Sequence, residues 1–114
     1  MFPRRSRLSK EEIARVAKSG QSVHTPYFSL KILPFPQNAL ENKAKFAFVM
    51  SKKEEKTAVG RNKAKRRLRA AMQPIAPTLK PLYCMVFIKK SALKATFPEL
   101  KKALTEALKG KVAI

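Results

Sequence analysis

Residues 82–88 read Leu-Tyr-Cys-Met-Val-Phe-Ile, seven apolar side chains without a break. A run this short, with no polar alternation, predicts a strand buried on both faces. Such a strand needs apolar cover. The chain has 114 residues, 45% of them hydrophobic, enough for a modest core. That length suits one domain over residues 1–114, with a basic arm at 1–8 and a tail at 111–114.

Other segments supply partners for this strand. Ser9 precedes Glu12 by three, a capping-box spacing, and predicts a helix over Lys10–Ser19 with Leu8, Ile13, Val16 and Ala17 as its apolar stripe. Gly20 is placed to stop it. From Tyr27 to Leu33, Phe28, Leu30 and Ile32 alternate with Ser29 and Lys31, the period of a half-buried strand. Residues 34–43 read as a loop, and Lys45–Met50 as a second strand with Phe46, Phe48 and Met50 on one face. These two strands suggest an antiparallel hairpin, and a further strand is suggested near Ser22–Val23. Helical periodicity runs from Ala58 to Met72 or Gln73, a Pro-rich loop covers 74–81, and Thr96 with Glu99 caps a last helix bearing Phe97, Leu100, Leu104 and Leu108. The order predicts an α+β fold, a two-layer sandwich with helices on one side of a small sheet.

Charge narrows the function. The chain carries 26 Lys+Arg and only 7 acids, all Glu, for a net charge of +19. Self-repulsion of this size costs stability unless a polyanion or counterions neutralise it, so RNA, DNA and an anionic membrane surface are the candidates. No apolar stretch is long enough to span a membrane, and the charged N-terminus lacks the apolar region of a secretory signal, so a cytoplasmic protein is expected. One Cys and one His make no zinc site within the chain, and the absence of Asp removes most routes to protein-held magnesium or calcium.

The densest basic stretch is Arg61-Asn-Lys-Ala-Lys-Arg-Arg-Leu-Arg69, six cations in nine residues. At about 100° per residue, Ala64, Leu68, Ala71 and Met72 share one arc and face the core. Asn62, Lys65, Arg66 and Arg69 share the adjacent arc, with Arg61 at its border. Arg presents a planar fork to phosphate oxygens and Lys a point charge, while Asn62 can donate and accept toward a base edge or a 2′-hydroxyl. No acid lies between positions 56 and 98, whereas a solvated surface helix usually mixes signs.

The run from Ser51 to Met72 resembles the signature region of the bacterial ribonuclease P protein component. In that family a Ser-Lys-Lys strand end precedes a helix bearing Ala-Val-x-Arg-Asn-x-x-Lys-Arg-x-x-Arg. Here these are Ser51, Lys52, Lys53, Ala58, Val59, Arg61, Asn62, Lys65, Arg66 and Arg69. Arg7-Leu8, Gly20–Val23 and the strand at 82–88 also look like the family, so the resemblance covers roughly residues 4–109.

The resemblance implies an α-β sandwich on a small mixed four-stranded sheet with about three helices and a left-handed crossover. It implies a subunit that assists a catalytic RNA in removing the 5′ leader of precursor tRNA by hydrolysing one phosphodiester bond. Magnesium would belong to the RNA–protein holoenzyme, with no catalytic residue and no cofactor on the protein alone. The partners would be ribonuclease P RNA and precursor tRNA, with no membrane and no DNA. The RNA-binding residues would be Lys52, Lys53, Arg61, Asn62, Lys65, Arg66 and Arg69. A leader cleft between the first helix and the sheet would take Ile13, Ala17, Phe28, Leu30, Phe46 and Phe48, although these apolar residues read more readily as sheet-to-helix core. Family members often carry two Phe on the first helix, where this chain has Ile13 and Ala17.

A non-catalytic ribosomal or RNA-assembly protein is the alternative, and a membrane-surface basic helix a third reading. His24 beside Thr25-Pro26 reads as a loop residue, and Cys84 as a small buried hydrophobe. Glu54 and Glu55, just before the basic helix, could stabilise its N-terminus or repel RNA.

Overall fold

The computed structural model describes residues 8–34, 44–79 and 82–109. The basic arm up to residue 7, the loop at 35–43, residues 80–81 of the Pro-rich loop, Gly110 and the tail at 111–114 lie outside the described residues.

Among the described residues three α-helices and four strands form: α1 (Lys10–Ser19), β1 (Gln21–His24), β2 (Phe28–Pro34), β3 (Lys45–Val49), α2 (Ala58–Met72), β4 (Leu82–Ile88) and α3 (Phe97–Ala107). Both capping boxes form as their spacing predicts. Ser9 Oγ accepts the Glu12 amide at 3.2 Å, and Glu12 returns a carboxylate oxygen to the Ser9 amide at 2.8 Å. Thr96 and Glu99 repeat the arrangement at 3.3 and 2.8 Å. Gly20 ends α1 by close approach: its amide donates to the Val16 carbonyl at 2.7 Å, and a Cβ there would stand 2.6 Å from the same oxygen.

The sheet order is β1-β2-β4-β3. β2 pairs with β4 antiparallel, Leu30 opposite Val86, and β3 pairs with β4 in parallel, Phe48 opposite Val86. The antiparallel hairpin suggested for the second and third strands therefore does not form. β4 lies between them, because its unbroken apolar run gains most from neighbours on both edges and cover on both faces. The hairpin that does form joins β1 to β2, closed by Thr25, whose hydroxyl donates to the Phe28 carbonyl at 2.8 Å and whose Oγ1 accepts the Phe28 amide at 3.0 Å.

Alternation along β4 sends its side chains into two cores. Cys84, Val86 and Ile88 join Phe28, Leu30, Ile32 and Phe46 under α2 and α3, which contribute Ala64, Leu68, Ala71, Met72, Leu100, Leu104 and Leu108. Tyr83 and Met85 point the other way, where Val16 of α1 and Leu8 cover them, with Ile13, Leu33, Ala47 and Phe87 packed around. The helices thus occupy both faces of the sheet, where the sequence pattern suggests one. The reason is again β4, whose second face would be left wet without α1. Burying a Leu or Met completely contributes about 1.5–3 kcal/mol each, so the larger core carries most of the stability.

Arg67 fastens the larger core at its edge. Its Nη1 donates to the Ala92 and Leu93 carbonyls at 2.9 and 3.0 Å, and its Nη2 to the Ala95 carbonyl, holding the turn between β4 and α3 against α2. Arg67→Met is expected to cost about 2–3 kcal/mol through lost charge-assisted bonds, roughly 10 °C or more in Tm. Arg66→Met, one residue away and exposed, should leave Tm nearly unchanged in the same thermal melt.

Candidate RNA interface

α2 forms because its first turn is capped and its inner stripe is apolar. Thr57 Oγ1 accepts the Gly60 amide at 3.0 Å, and Ala64, Leu68, Ala71 and Met72 are buried as the periodicity predicts. At 100° per residue, the opposite crest carries Val59, Asn62, Lys63 and Arg66, all exposed. The helix holds no acid in its first turn, so its N-terminal dipole adds to the positive field instead of being neutralised.

The turn leading into α2 is built so that its carboxylates face inward. Glu54 accepts the Lys90 amide at 3.2 Å, and Glu55 accepts both the amide and the hydroxyl of Thr57, at 3.2 and 3.3 Å. Each glutamate thus spends an oxygen on the protein itself, leaving Lys52, Lys53 and Lys56 as the exposed charges of the turn. Gly60 permits this folding, since a Cβ there would stand 2.7 Å from Glu55 Cγ.

The predicted RNA-binding residues divide into groups. Lys52 and Lys53 in the turn, and Asn62 and Arg66 on the crest, are exposed. Lys65 and Arg69 are half-buried on the flank of α2 toward β3, and the Arg69 guanidinium sits 5.6 Å from the centre of the Phe48 ring. Arg61 is separated from the row: its Nη1 donates to the Glu55 and Lys56 carbonyls, both at 2.9 Å, and straps the turn to the helix. The sequence could not show this, because the acceptors are backbone groups.

The residues expected to line a leader cleft do not share a surface. Phe28, Leu30 and Phe46 are buried in the larger core, facing α2 and α3. Phe48 is half-buried on that same face, its ring stacked 6.3 Å from Phe46. This corrects their expected position against the first helix. The register assigns that face to the alternate residues instead: Ser29, Lys31 and Leu33 on β2, Ala47 and Val49 on β3, and Tyr83, Met85 and Phe87 on β4. Ile13, half-buried, and Ala17, exposed, do flank it.

α1 reaches across this face from β3 to β2. At one end Glu12 pairs with Lys45 at 3.2 Å, and burial, which would raise the Glu12 carboxyl, is outweighed by the Ser9 amide and Lys45, so its pKa is lowered. At the other end Lys31 Nζ donates to the Ala17 carbonyl at 2.9 Å, capping the last turn of α1. On one side of the helix lies Glu12. Ile13 packs on the smaller core, and His24, Ser29, Phe87 and Val49 stand opposite one another across all four strands, His24 and Val49 exposed, Ser29 and Phe87 half-buried. His24 ends β1 and is not the loop residue expected, and its Nδ1 lies 2.9 Å from Ser29 Oγ.

Cys84 is fully buried, and burial pushes its thiol up to about 12, which leaves no thiolate at neutral pH. Among the described residues no group of three or more His, Cys, Asp or Glu could hold a metal ion, and no helix is long and apolar enough to cross a membrane.

The family described as Ribonuclease P matches residues 2–111 of the chain. A ribonuclease P protein component from a Pseudanabaena species is 37% identical over 110 residues, covering 95% of this chain and 92% of that one. Another, from a Synechococcus species, is 31% identical over 89% of this chain and 77% of its own length. The chain belongs to the ribonuclease P protein component family. It is the protein subunit of ribonuclease P, an endoribonuclease that processes tRNA as a ribonucleoprotein. The RNase P protein of Staphylococcus aureus shares the fold with a TM-score of 0.76 at 24% identity, over 91% of this chain and 93% of that one. The RNase P protein of Thermotoga maritima shares it with a TM-score of 0.74 at 21% identity, over 91% and 96%. Family membership implies association with ribonuclease P RNA, a polyanion of the kind that a net charge of +19 calls for.

For a ribonuclease P protein the crest of α2 and its strap should separate by experiment. Arg66→Ala and Asn62→Ala are expected to weaken binding to ribonuclease P RNA several-fold, and Arg66→Ala to reduce the slope of log K against log salt by about one. Lys109→Ala should change neither much. Arg61→Ala should weaken binding and also raise amide exchange across residues 52–57, a signature that Arg66→Ala lacks. A salt titration with hydrogen-exchange measurement distinguishes these outcomes.

Proposed function

We propose that this subunit grips ribonuclease P RNA through the crest of α2 and the turn before it, and guides the 5′ leader of precursor tRNA along the sheet face beside α1. The observation that carries this reading is the acid-free crest, Asn62, Lys63 and Arg66, next to a turn whose two glutamates face inward. Cations lie ready for one RNA on that side, while a half-open sheet face with an aromatic ring lies on another.

In this reading the residues that hold RNA are Lys52, Lys53, Asn62, Lys65, Arg66 and Arg69, with Arg61 positioning the turn. Catalysis belongs to the RNA. Magnesium ions held by RNA phosphates would activate water and stabilise the leaving oxygen, the usual division of labour in phosphodiester hydrolysis. The protein contributes electrostatic relief between two polyanions and holds the substrate in register. It acts in the cytoplasm on precursor tRNA. A non-catalytic ribosomal or assembly role has no separate observation in its favour.

Reconstitution tests this. Purified protein added to a bacterial ribonuclease P RNA at low magnesium should accelerate leader removal from precursor tRNA by tenfold or more, while RNA alone at high magnesium retains slow cleavage. Cleavage of precursor tRNA by the protein without RNA would refute the assignment of catalysis.

A further inference from the structure

Between β4 and α3 the chain makes a single turn, Lys90–Leu93, and that turn is fastened from three sides. Arg67 of α2 binds the Ala92, Leu93 and Ala95 carbonyls. Glu54, in the turn before α2, accepts the Lys90 amide. From the β1–β2 connection, the Thr25 carbonyl accepts Lys89 Nζ at 2.9 Å and the Pro26 carbonyl accepts the Ser91 hydroxyl at 2.6 Å. Ala92 and Ala95 are buried in the larger core with α2 and α3, so the turn belongs to the helical layer. Lys90 and Lys94, at its two ends, are exposed beside α2. On α2 itself, at about 100° per residue, the exposed Lys63 falls between Arg66 and Arg67, on the flank that meets the turn. No acid lies between positions 56 and 98, so neither element neutralises the other.

We infer that Lys90 and Lys94 form a second row of phosphate contacts to ribonuclease P RNA, set beside the crest of α2 at a spacing that Arg67 and Glu54 fix. The inference rests on the crest reading above and extends it from one helix to a clamp of two elements. Three features favour a folded segment of that RNA over other occupants. Charge is complementary over the whole strip, since the bonds from Arg67 go to carbonyls and cancel no cation. Packed elements lie on the order of 10 Å apart, so two such rows meet phosphates of separate strands in an RNA helix, which proteins read by shape and backbone. The strip also lies on the layer of the larger core, across the sheet from α1, so it stays open to one RNA while the leader follows the other face. A turn already held in place has little freedom left to lose on binding, and its two cations therefore count more than lysines on a loose loop.

The test titrates ribonuclease P RNA with the full-length protein at several salt concentrations, without tRNA. Lys90→Ala and Lys94→Ala should each weaken binding several-fold and lower the slope of log K against log salt by about one, and the double variant by about two. Lys109→Ala, also exposed, should change neither much. Glu54 supplies a test of sign, because removing an acid from a basic surface strengthens diffuse attraction to a polyanion. Glu54→Gln, which keeps an oxygen for the Lys90 amide, should bind at least as tightly as the parent. Glu54→Ala should bind less tightly and raise amide exchange over residues 89–94. Tighter binding by Glu54→Ala would mean attraction without a fixed row and would overturn the proposal. If Arg66→Ala weakens binding while the double lysine variant binds as the parent does, the second row is wrong and the crest stands. If Arg66→Ala also binds as the parent does, the crest reading fails and the second row with it. In reconstituted holoenzyme the double variant should keep the parent's ratio of precursor to mature tRNA binding, and a changed ratio would assign these lysines to the leader and overturn the proposal. Should Glu54→Ala melt early, the two exposed lysines decide, since their variants should keep the parent's Tm.

Discussion

Everything in this fold follows from the need to bury β4 on both faces. Seven apolar residues in a row cannot serve an edge strand or a sheet with one wet side. The sheet answers by inserting β4 between β2 and β3, and the helices by dividing, α2 and α3 to one face and α1 to the other. Both surfaces proposed to meet RNA are consequences. Packing α2 inward by a narrow stripe of Ala64, Leu68, Ala71 and Met72 turns its remaining residues out as a cationic crest. Covering the second face with a single short helix leaves one row of the sheet unclosed.

Local features were readable in the sequence and long-range pairing was not. Capping boxes, the boundaries of α1 and the inner stripe of α2 depend on residues three or four apart, and the sequence displays those distances. The hairpin expectation failed because the strand that comes third in space comes fourth in sequence, and no local signal marks an insertion between neighbours. Four of the cleft residues, all on strands, went to the opposite face by parity. Phe28, Leu30 and Phe46 are the more hydrophobic alternate set, and that set went to the larger core, under two helices. The face beside α1 received the weaker set, Ser29 and Lys31, together with the odd residues of β4. Since both sets of β4 are apolar, Phe87 carries no mark that distinguishes it from Val86.

Cation roles were hidden in part. Arg61, Arg66 and Arg67 look alike in a run of six basic residues, yet only Arg66 stands on the open crest. Helical angle sets Arg66 opposite the buried arc, Arg61 inside the arc between Leu68 and Met72, and Arg67 just beyond its other edge. What the sequence lacks is the acceptor, since carbonyls at Glu55, Lys56, Ala92, Leu93 and Ala95 belong to the backbone and have no residue-type signature.

That choice of acceptors solves a problem posed by composition. With 26 cations and 7 acids, the chain can fix few of its basic groups by ion pairing. It fixes several on carbonyl oxygens instead: Lys31 on Ala17, Arg61 on Glu55 and Lys56, Arg67 on the turn before α3, and Lys89 on Thr25 at 2.9 Å. The scarce glutamates are used in the mirror sense, with Glu12, Glu54, Glu55 and Glu99 each accepting a backbone amide. Carbonyls carry partial charge only, so such contacts order a cation without cancelling it, and the field of the whole domain stays strongly positive. A protein stapled by acid–base pairs would reach the same fold with a neutral surface. Here a few stapled cations hold the architecture, while the charge of stapled and free cations alike remains for a polyanion to neutralise.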